Sequence, residues 1–278
     1  MIAFIGSVFS PYYAWMRRRG DGRAERHCAL NISLYGGTRR WAMTERGEAS
    51  LHRDAHHIAI GPSSLSWRNG VLEIEIRERS FPIPHAIRGR IRVHPEAITG
   101  HRESLDPAGL HRWSPMAPRA RVEVELDQPG LRWSGNGYLD SNDGDGPLEA
   151  SFRRWDWCRV PLRDRTAILY DVEGRDGQKR ELGLQVARDG SVSPLEAPTA
   201  VTLPRTRWRL PRFTRCDTGG TASVVQTLQD SPFYARSVLQ TRLLGETAPA
   251  MHESLDLDRF KAPWTQAMLP FRIPRALR

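Results

Sequence analysis

Arg119-Ala-Arg-Val-Glu-Val-Glu-Leu-Asp127 sets a small or apolar residue at every second position, with charged residues between them. Successive side chains of a strand point to opposite faces, so this spacing buries Ala120, Val122, Val124 and Leu126 and leaves the charges in water. A helix would scatter the same four residues around its circumference. Val71-Leu-Glu-Ile-Glu-Ile-Arg-Glu-Arg79 and Arg90-Ile-Arg-Val-His94 repeat the pattern upstream; Thr166-Ala-Ile-Leu-Tyr-Asp-Val172 and Glu181-Leu-Gly-Leu-Gln-Val186 continue a β-meander downstream. Arg68-Asn69-Gly70, Gly135-Asn136-Gly137, Asp143-Gly144-Asp145-Gly146, Asp176-Gly177 and Asp189-Gly190 supply turn residues that tolerate positive φ. The chain is therefore expected to be all-β, of barrel or sandwich type with little helix. Trp208-Arg-Leu210 and Ala222–Leu228 read as further strands, and Met251–Phe260 as the best helix candidate. A length of 278 residues suits two modest domains or one large β architecture. A break near Arg154 to Pro161 would divide the chain into residues 1–157 and 158–278.

The formal charge of +9 invites a polyanionic partner. Yet Lys179 and Lys261 are the only lysines, and the arginines are spread along the chain among Asp and Glu. No nucleic-acid-binding signature accompanies them, so nucleic acid is not an expected partner. Weak attraction to anionic lipid, about 1 kcal/mol per well-placed basic residue, is compatible with this charge. No apolar run approaches the roughly 20 residues that cross a bilayer. Met1-Ile-Ala-Phe-Ile-Gly-Ser lacks the basic then apolar pattern of a signal peptide. Cys28, Cys158 and Cys216 are far apart and in no CxxC pattern, which reads as reduced thiols. A cytoplasmic location, with peripheral contact at the inner membrane, is expected.

Familiar catalytic motifs are missing: no GxSxG elbow, P-loop, HExxH or dinucleotide-binding GxGxxG. Nicotinamide, flavin and ATP chemistry are disfavoured, and no cofactor is expected. Asp140-Ser-Asn-Asp-Gly-Asp-Gly146 resembles a calcium loop only superficially, because Gly144 falls where an oxygen ligand belongs and Asp145 where Gly belongs. His52, His56 and His57 include adjacent residues that a strand would point to opposite faces, so no metal site is expected. Two pairs remain. His111 and Trp113 lie two residues apart, as do Tyr138 and Asp140, so in strands each pair shares a face. Should both faces line one cavity, a carboxyl, an imidazole, a phenol and an indole meet in apolar surroundings. Spacing alone equally allows Asp140 to open the following turn and Trp113 to be ordinary core.

Further segments carry a family likeness. They are Gly6-Ser-Val-Phe-Ser-Pro-Tyr-Tyr-Ala-Trp15, His27-Cys-Ala-Leu-Asn31, Arg40-Trp-Ala-Met-Thr-Glu-Arg-Gly47, Ile60-Gly-Pro-Ser-Ser-Leu65, His111-Arg-Trp-Ser-Pro-Met-Ala-Pro118, Gly137-Tyr-Leu-Asp140, Pro147-Leu-Glu149, Trp155-Asp-Trp157, Ser231-Pro-Phe-Tyr234, Met251-His-Glu253 and Met268-Leu-Pro-Phe-Arg-Ile-Pro-Arg275. In this order the chain resembles the carotenoid 1,2-hydratases, also called hydroxyneurosporene synthases, along nearly its whole length. Several members carry a longer N-terminal extension. The resemblance implies tandem lipocalin-like β-domains and cofactor-free addition of water to the terminal C1=C2 bond of acyclic carotenoids such as neurosporene or lycopene. It places the family's catalytic group on His111, Trp113, Tyr138 and Asp140.

Hydrating such an alkene requires protonation at C2, a tertiary cation at C1, and capture by water. Asp140 is the expected acid, kept protonated by burial. His111 is expected to hydrogen-bond Asp140, restore its proton, or take a proton from the attacking water. The faces of Trp113 and Tyr138 would attract the cation. Tyr12, Tyr13, Trp15 and Trp41 are expected to line the route of the polyene. The expected partners are the acyclic carotenoid, water and a lipid surface. Two other classes are open: a non-catalytic lipocalin-like isoprenoid carrier, and a cofactor-free polyene cyclase.

Overall fold

The computed structural model describes residues 1–276, and these divide into two compact units. The first holds Met1–Pro95, Ala120–Gly137 and the stretch from Pro263 onward; the second holds Glu96–Arg119 and Tyr138–Ala262.

In the first unit, β1 (Ile2–Ile5), β2 (Cys28–Leu34) and β3 (Arg40–Met43) form an antiparallel sheet, and helix α1 (Pro11–Arg18) lies between the first two in sequence. Strands β4 (Leu51–Arg53), β5 (His57–Ile60), β6 (Ser63–Arg68), β7 (Val71–Arg79) and β8 (Ala86–Pro95) follow as an antiparallel meander. The Asn69-Gly70 turn closes β6 onto β7, with φ of 50° and 77°. Both central residues are left-handed, the conformation that matches the strand twist and that Asn and Gly adopt most cheaply. Leu72, Ile74 and Ile76 of β7 are buried, as the alternation requires. Their charged neighbours pair across the sheet instead: Glu75 faces Arg90 in register and accepts its Nε–H at 2.5 Å.

Strand β9 (Glu103–Ser104) pairs with β10 (His111–Gln128), which is followed by β11 (Leu131–Gly144). The sheet order β11-β10-β8-β7-β6-β5-β4 takes the diagnostic stretch of β10, Ala120 to Leu126, into the first unit's core. Val124 and Leu126 are buried there. The other ends of the two long strands, His111–Arg119 and Tyr138–Gly144, belong to the second unit.

Helix α2 (Leu148–Ser151) leads into the second unit's sheet, made of β12 (Phe152–Pro161), β13 (Arg165–Gly174), β14 (Lys179–Ala187), β15 (Val192–Pro194), β18 (Ala222–Asp230), β19 (Tyr234–Leu243) and β20 (Glu246–Asp256). Its order is β15-β14-β13-β12-β20-β19-β18, while β16 (Thr199–Leu203) and β17 (Arg212–Cys216) pair separately. One face of the sheet carries the apolar cluster of Cys158, Leu169, Leu239 and Ala250. Trp157 pairs with Tyr170 on one side and Glu253 on the other, and Glu253 with Arg236. Directly paired residues share a face, so these four occupy the side opposite that cluster.

Several expectations need correction. A cut between 157 and 158 does not follow the compact units: Trp157 and Cys158 are consecutive residues of β12, bonded to β13 and β20 in the middle of the sheet. Met251–Asp256 is not helical, because β20 pairs through Asp256 with β12 and through Leu255 with β19; only α3 (Leu257–Lys261) follows, capped by the Asp256 carboxylate on the Arg259 N–H. Trp208–Leu210 forms a turn with Arg209 at φ 58°, not a strand. Gly135-Asn136-Gly137 lies within β11 rather than in a turn. Helix α1 carried readable signals that the strand-dominated reading passed over: Ser10 caps it by accepting the Tyr13 N–H at 3.1 Å, and Pro11 occupies its first position. Helix α4 (Pro263–Met268) ends the set. Among the described residues no helix is long and apolar enough to cross a membrane. Cys28, Cys158 and Cys216 are buried free thiols.

Candidate active site

Asp140 and Tyr138 alternate with outward residues near the end of β11, while His111 and Trp113 open β10. All four belong to the second unit. The Trp113 indole donates to Asp140 Oδ2 at 3.0 Å, and the Tyr138 hydroxyl donates to the same oxygen at 3.2 Å. Two donors converge on Oδ2, which leaves Oδ1 to carry a proton. Trp113 is 1% exposed. Its ring meets the edge of Tyr170 at 5.5 Å, Tyr138 packs on Trp157 at 5.2 Å, and Trp155 meets Tyr170 at 6.0 Å. The carboxyl thus sits among indoles and phenols rather than in bulk water.

Burial pushes the Asp140 carboxyl up to about 6 from the usual 3.8. The Trp113 and Tyr138 hydrogen bonds oppose that shift, the charge of Glu253 adds to it, and Arg236 opposes it. Burial likewise holds both phenols, Tyr138 and Tyr170, far above their ordinary range, so they act as neutral donors. The Arg159 guanidinium lies over the Tyr138 ring at 5.3 Å. Asp140 keeps part of its own surface accessible even though burial dominates its acidity.

A raised carboxyl is not unique to this place. Asp156, on the opposite face of the sheet, is pushed to about 7 by burial, accepts the Ser254 hydroxyl at 2.5 Å and lies 3.5 Å from His252. Burial lowers His252 to about 4, and its Nε2–H goes to the Phe213 carbonyl at 2.8 Å. That polar group anchors β17 to the sheet. What distinguishes Asp140 is the aromatic wall around it.

His111 does not take the expected place. Its Nε2 pairs with the Ser151 hydroxyl at 2.9 Å and its ring packs on Phe152 at 4.9 Å, while the donors on Asp140 Oδ2 are Trp113 and Tyr138. Asp106 clamps the backbone there, accepting the N–H groups of Leu110 at 3.0 Å and His111 at 2.7 Å. Gly144 makes room for the ring, since a Cβ at that position would lie 2.6 Å from His111 Nδ1. Burial lowers the imidazole's pKa and favours its neutral form. The acidic run is a structural clasp: Arg112 pairs with Asp143 at 2.6 Å and with Asp145 at 2.7 Å.

The other four aromatic residues lie in the first unit. Tyr13 stacks on His27 at 4.8 Å and donates to the Gly22 carbonyl at 3.3 Å. His27 in turn pairs with buried Glu45 at 3.0 Å, and Glu45 also holds Arg275, whose guanidinium lies 5.9 Å from the Tyr12 ring. Trp41 lies under Arg272 at 4.8 Å, and Trp15, 47% exposed, under Arg19 at 3.8 Å. Two clefts, of about 490 Å³ beside Glu78 and Arg88 and about 370 Å³ beside Arg154 and Asp171, are too richly charged for a hydrocarbon chain.

Spacing missed Ser151, Asp106, Trp157 and Tyr170, which reach the site from other elements. Trp157 alone stood in a segment of the family likeness, Trp155-Asp-Trp157.

The family model described as Carotenoid hydratase CrtC matches residues 1–278. An acyclic carotenoid 1,2-hydratase of Thiocapsa roseopersicina is 52% identical over 277 residues, spanning 99% of this chain and 68% of that protein. One from Cereibacter sphaeroides is 42% identical over 276 residues, with 99% of this chain and 98% of the relative covered. Among solved structures, an AttH protein of Nitrosomonas europaea matches with a TM-score of 0.56 at 12% identity, covering 83% of this chain and 81% of its own. That likeness shows the fold, and the all-β, lipocalin-like organisation is as the strand pattern and the family resemblance led one to expect.

Proposed function

The chain belongs to the carotenoid hydratase CrtC family, and from that membership and its aromatic-walled carboxyl we infer that it is a hydro-lyase adding water to acyclic carotenoids. Asp140 is the acid. Its Oδ1–H protonates C2 of the terminal isoprene unit, the C1=C2 electron pair forms the new C–H bond, and C1 becomes a tertiary cation. The faces of Trp113, Tyr138, Trp157 and Tyr170 favour that cation, by about 2 kcal/mol for a well-placed desolvated ring. Water captures C1 and gives the 1-hydroxy product. The observation that carries this reading is a carboxyl held at about 6 by burial while two aromatic donors fix its geometry. His111 enters as a positioning residue, acting through Ser151 and the packing of Phe152 rather than through Asp140.

The polyene route includes Tyr12, Tyr13, Trp15 and Trp41 in this proposal, supported by their aromatic faces. Peripheral contact with a membrane belongs to it as well. Trp264, Met268 and Phe271, at helical spacing, are 47%, 47% and 77% exposed. Apolar residues presented this way, with Lys261 and Arg272 flanking them, suit the headgroup boundary of a cytoplasmic leaflet.

The test is to incubate the purified protein with lycopene in anionic vesicles and ¹⁸O-labelled water. The expected product carries one labelled hydroxyl at C1. A product with the substrate's mass indicates cyclisation or isomerisation, and bound but unchanged lycopene indicates a carrier; either would overturn the assignment.

A further inference from the structure

Protonating an alkene is half of a hydration; the attacking water must also lose a proton. Asp140 holds the proton that is given, and His111 is engaged with Ser151. A second carboxyl stands on the same aromatic surface. Glu253 lies directly across from Trp157 in the β12–β20 register, and Arg236 directly across from Glu253 in β19–β20. The Arg236 guanidinium holds Glu253 Oε1 through Nε at 2.8 Å and Nη2 at 2.5 Å. Trp157 then leads to Asp140 through one residue, Tyr138, whose ring packs on Trp157 at 5.2 Å and whose hydroxyl donates to Asp140 Oδ2 at 3.2 Å.

Two features mark this as more than a structural ion pair. Glu253 and Arg236 lie on β20 and β19, inside the edges of a seven-stranded sheet, and their side chains keep 22% and 19% of their surface accessible. On Trp157, the residue paired with Glu253 across β12 and β20, the indole N–H is buried with no hydrogen-bond partner among the described residues. An unpaired buried donor costs about 1–3 kcal/mol, and native structures rarely keep one unless it serves a ligand or water. A donor and an acceptor on directly paired residues of one face can orient a water molecule between them: the indole holds its oxygen and the carboxylate takes its hydrogen.

We propose that Glu253 is the general base of the hydration, held by Arg236 and paired with the Trp157 N–H as the seat of the attacking water. This rests on Asp140 being the acid. The water oxygen bonds to C1 of the cation while one of its protons passes to Glu253. Glu253 then releases this proton to solvent and Asp140 takes one up from solvent, so each turnover consumes one alkene and one water and leaves both carboxyls as they began. The charge of Glu253 also helps to keep Asp140 protonated, so the base supports the acid before it acts.

The experiment separates the two halves by running the reaction in D₂O and measuring both the 1-hydroxy product and deuterium in recovered lycopene. Deuterium enters when the terminal alkene is protonated and the cation collapses back without water. Glu253→Gln should lower product formation by about 10²-fold or more, the range of a lost general base, while deuterium uptake persists. Asp140→Asn should abolish both. Trp157→Phe, which keeps a ring but removes the N–H, should lower product with uptake retained, and serves should Glu253→Gln not fold. Glu253→Gln or Trp157→Phe hydrating at the parent rate would overturn the proposal. So would loss of deuterium uptake together with product in folded Glu253→Gln, since Glu253 would then serve the protonation. Persistent uptake in Asp140→Asn would instead overturn the acid.

Discussion

Replacing Asp140 by Asn should separate stability from activity. Burial holds the folded carboxyl at about 6 rather than 3.8, so the native state binds this proton more tightly than the unfolded chain. The sign follows: this group's contribution is most favourable below about pH 4, declines as pH rises towards 6, and is flat beyond. At 1.36 kcal/mol per unit of pKa, the ionised carboxylate costs the folded chain about 3 kcal/mol at pH 8. Asn keeps the size of the side chain and an oxygen for the Trp113 and Tyr138 donors, but carries no charge. Asp140→Asn should therefore be up to about 3 kcal/mol more stable than the parent at pH 8, and nearly equal to it at pH 4. Hydration should fall by at least about 10²-fold at every pH. In the parent enzyme the competent form is the protonated one, so the rate should be level below pH 6 and fall about tenfold between pH 7 and 8. Glu253, Arg236, Tyr138 and Tyr170 are the charged and titratable groups around Asp140 that enter this profile. Urea unfolding at pH 4 and pH 8, with single-turnover hydration from pH 5 to 8.5, supplies the data. A variant less stable than the parent at pH 8, or a parent rate that climbs above pH 6, would refute the reasoning.

Four other substitutions probe the surroundings. Trp113→Phe removes a hydrogen bond that holds Asp140 down, so the alkaline fall in rate should move to higher pH, read from the same profile. Ser151→Ala leaves the Asp140 hydrogen bonds untouched; it should cost about 1 kcal/mol in urea unfolding and leave that fall in place. Arg275→Met strands buried Glu45 without its guanidinium, and a loss of about 3–5 kcal/mol of stability is expected in the same assay. Phe271→Ser should weaken cosedimentation with anionic vesicles and leave turnover in detergent unchanged.

Asp140 and Tyr138 were legible as a pair because a strand repeats every two residues, and the same periodicity paired His111 with Trp113. That arithmetic fixed which side chains share a face. It could not say that Trp113, rather than His111, would reach the carboxyl, since reach depends on side-chain length and on how β10 and β11 are set against each other. Ser151 claims His111 from the end of α2, an element with no periodicity to announce it. The failed helix at Met251–Phe260 has the same origin: β20 is a strand because β12 and β19 lie on either side of it, and those neighbours are about 95 and 15 residues away in sequence.

Alternation along the chain and the Asn-Gly and Asp-Gly turns decided by themselves that this is a β protein, because each is a local property that burial and backbone sterics impose on consecutive residues, while the order of the family segments carried the resemblance to the carotenoid hydratases. The acidity of Asp140, the company of Trp157 and Tyr170, and the placing of Glu253 beside an unpaired indole were decided only by the tertiary structure. They depend on desolvation and on distances between strands far apart in the chain, which no run of neighbouring residues encodes.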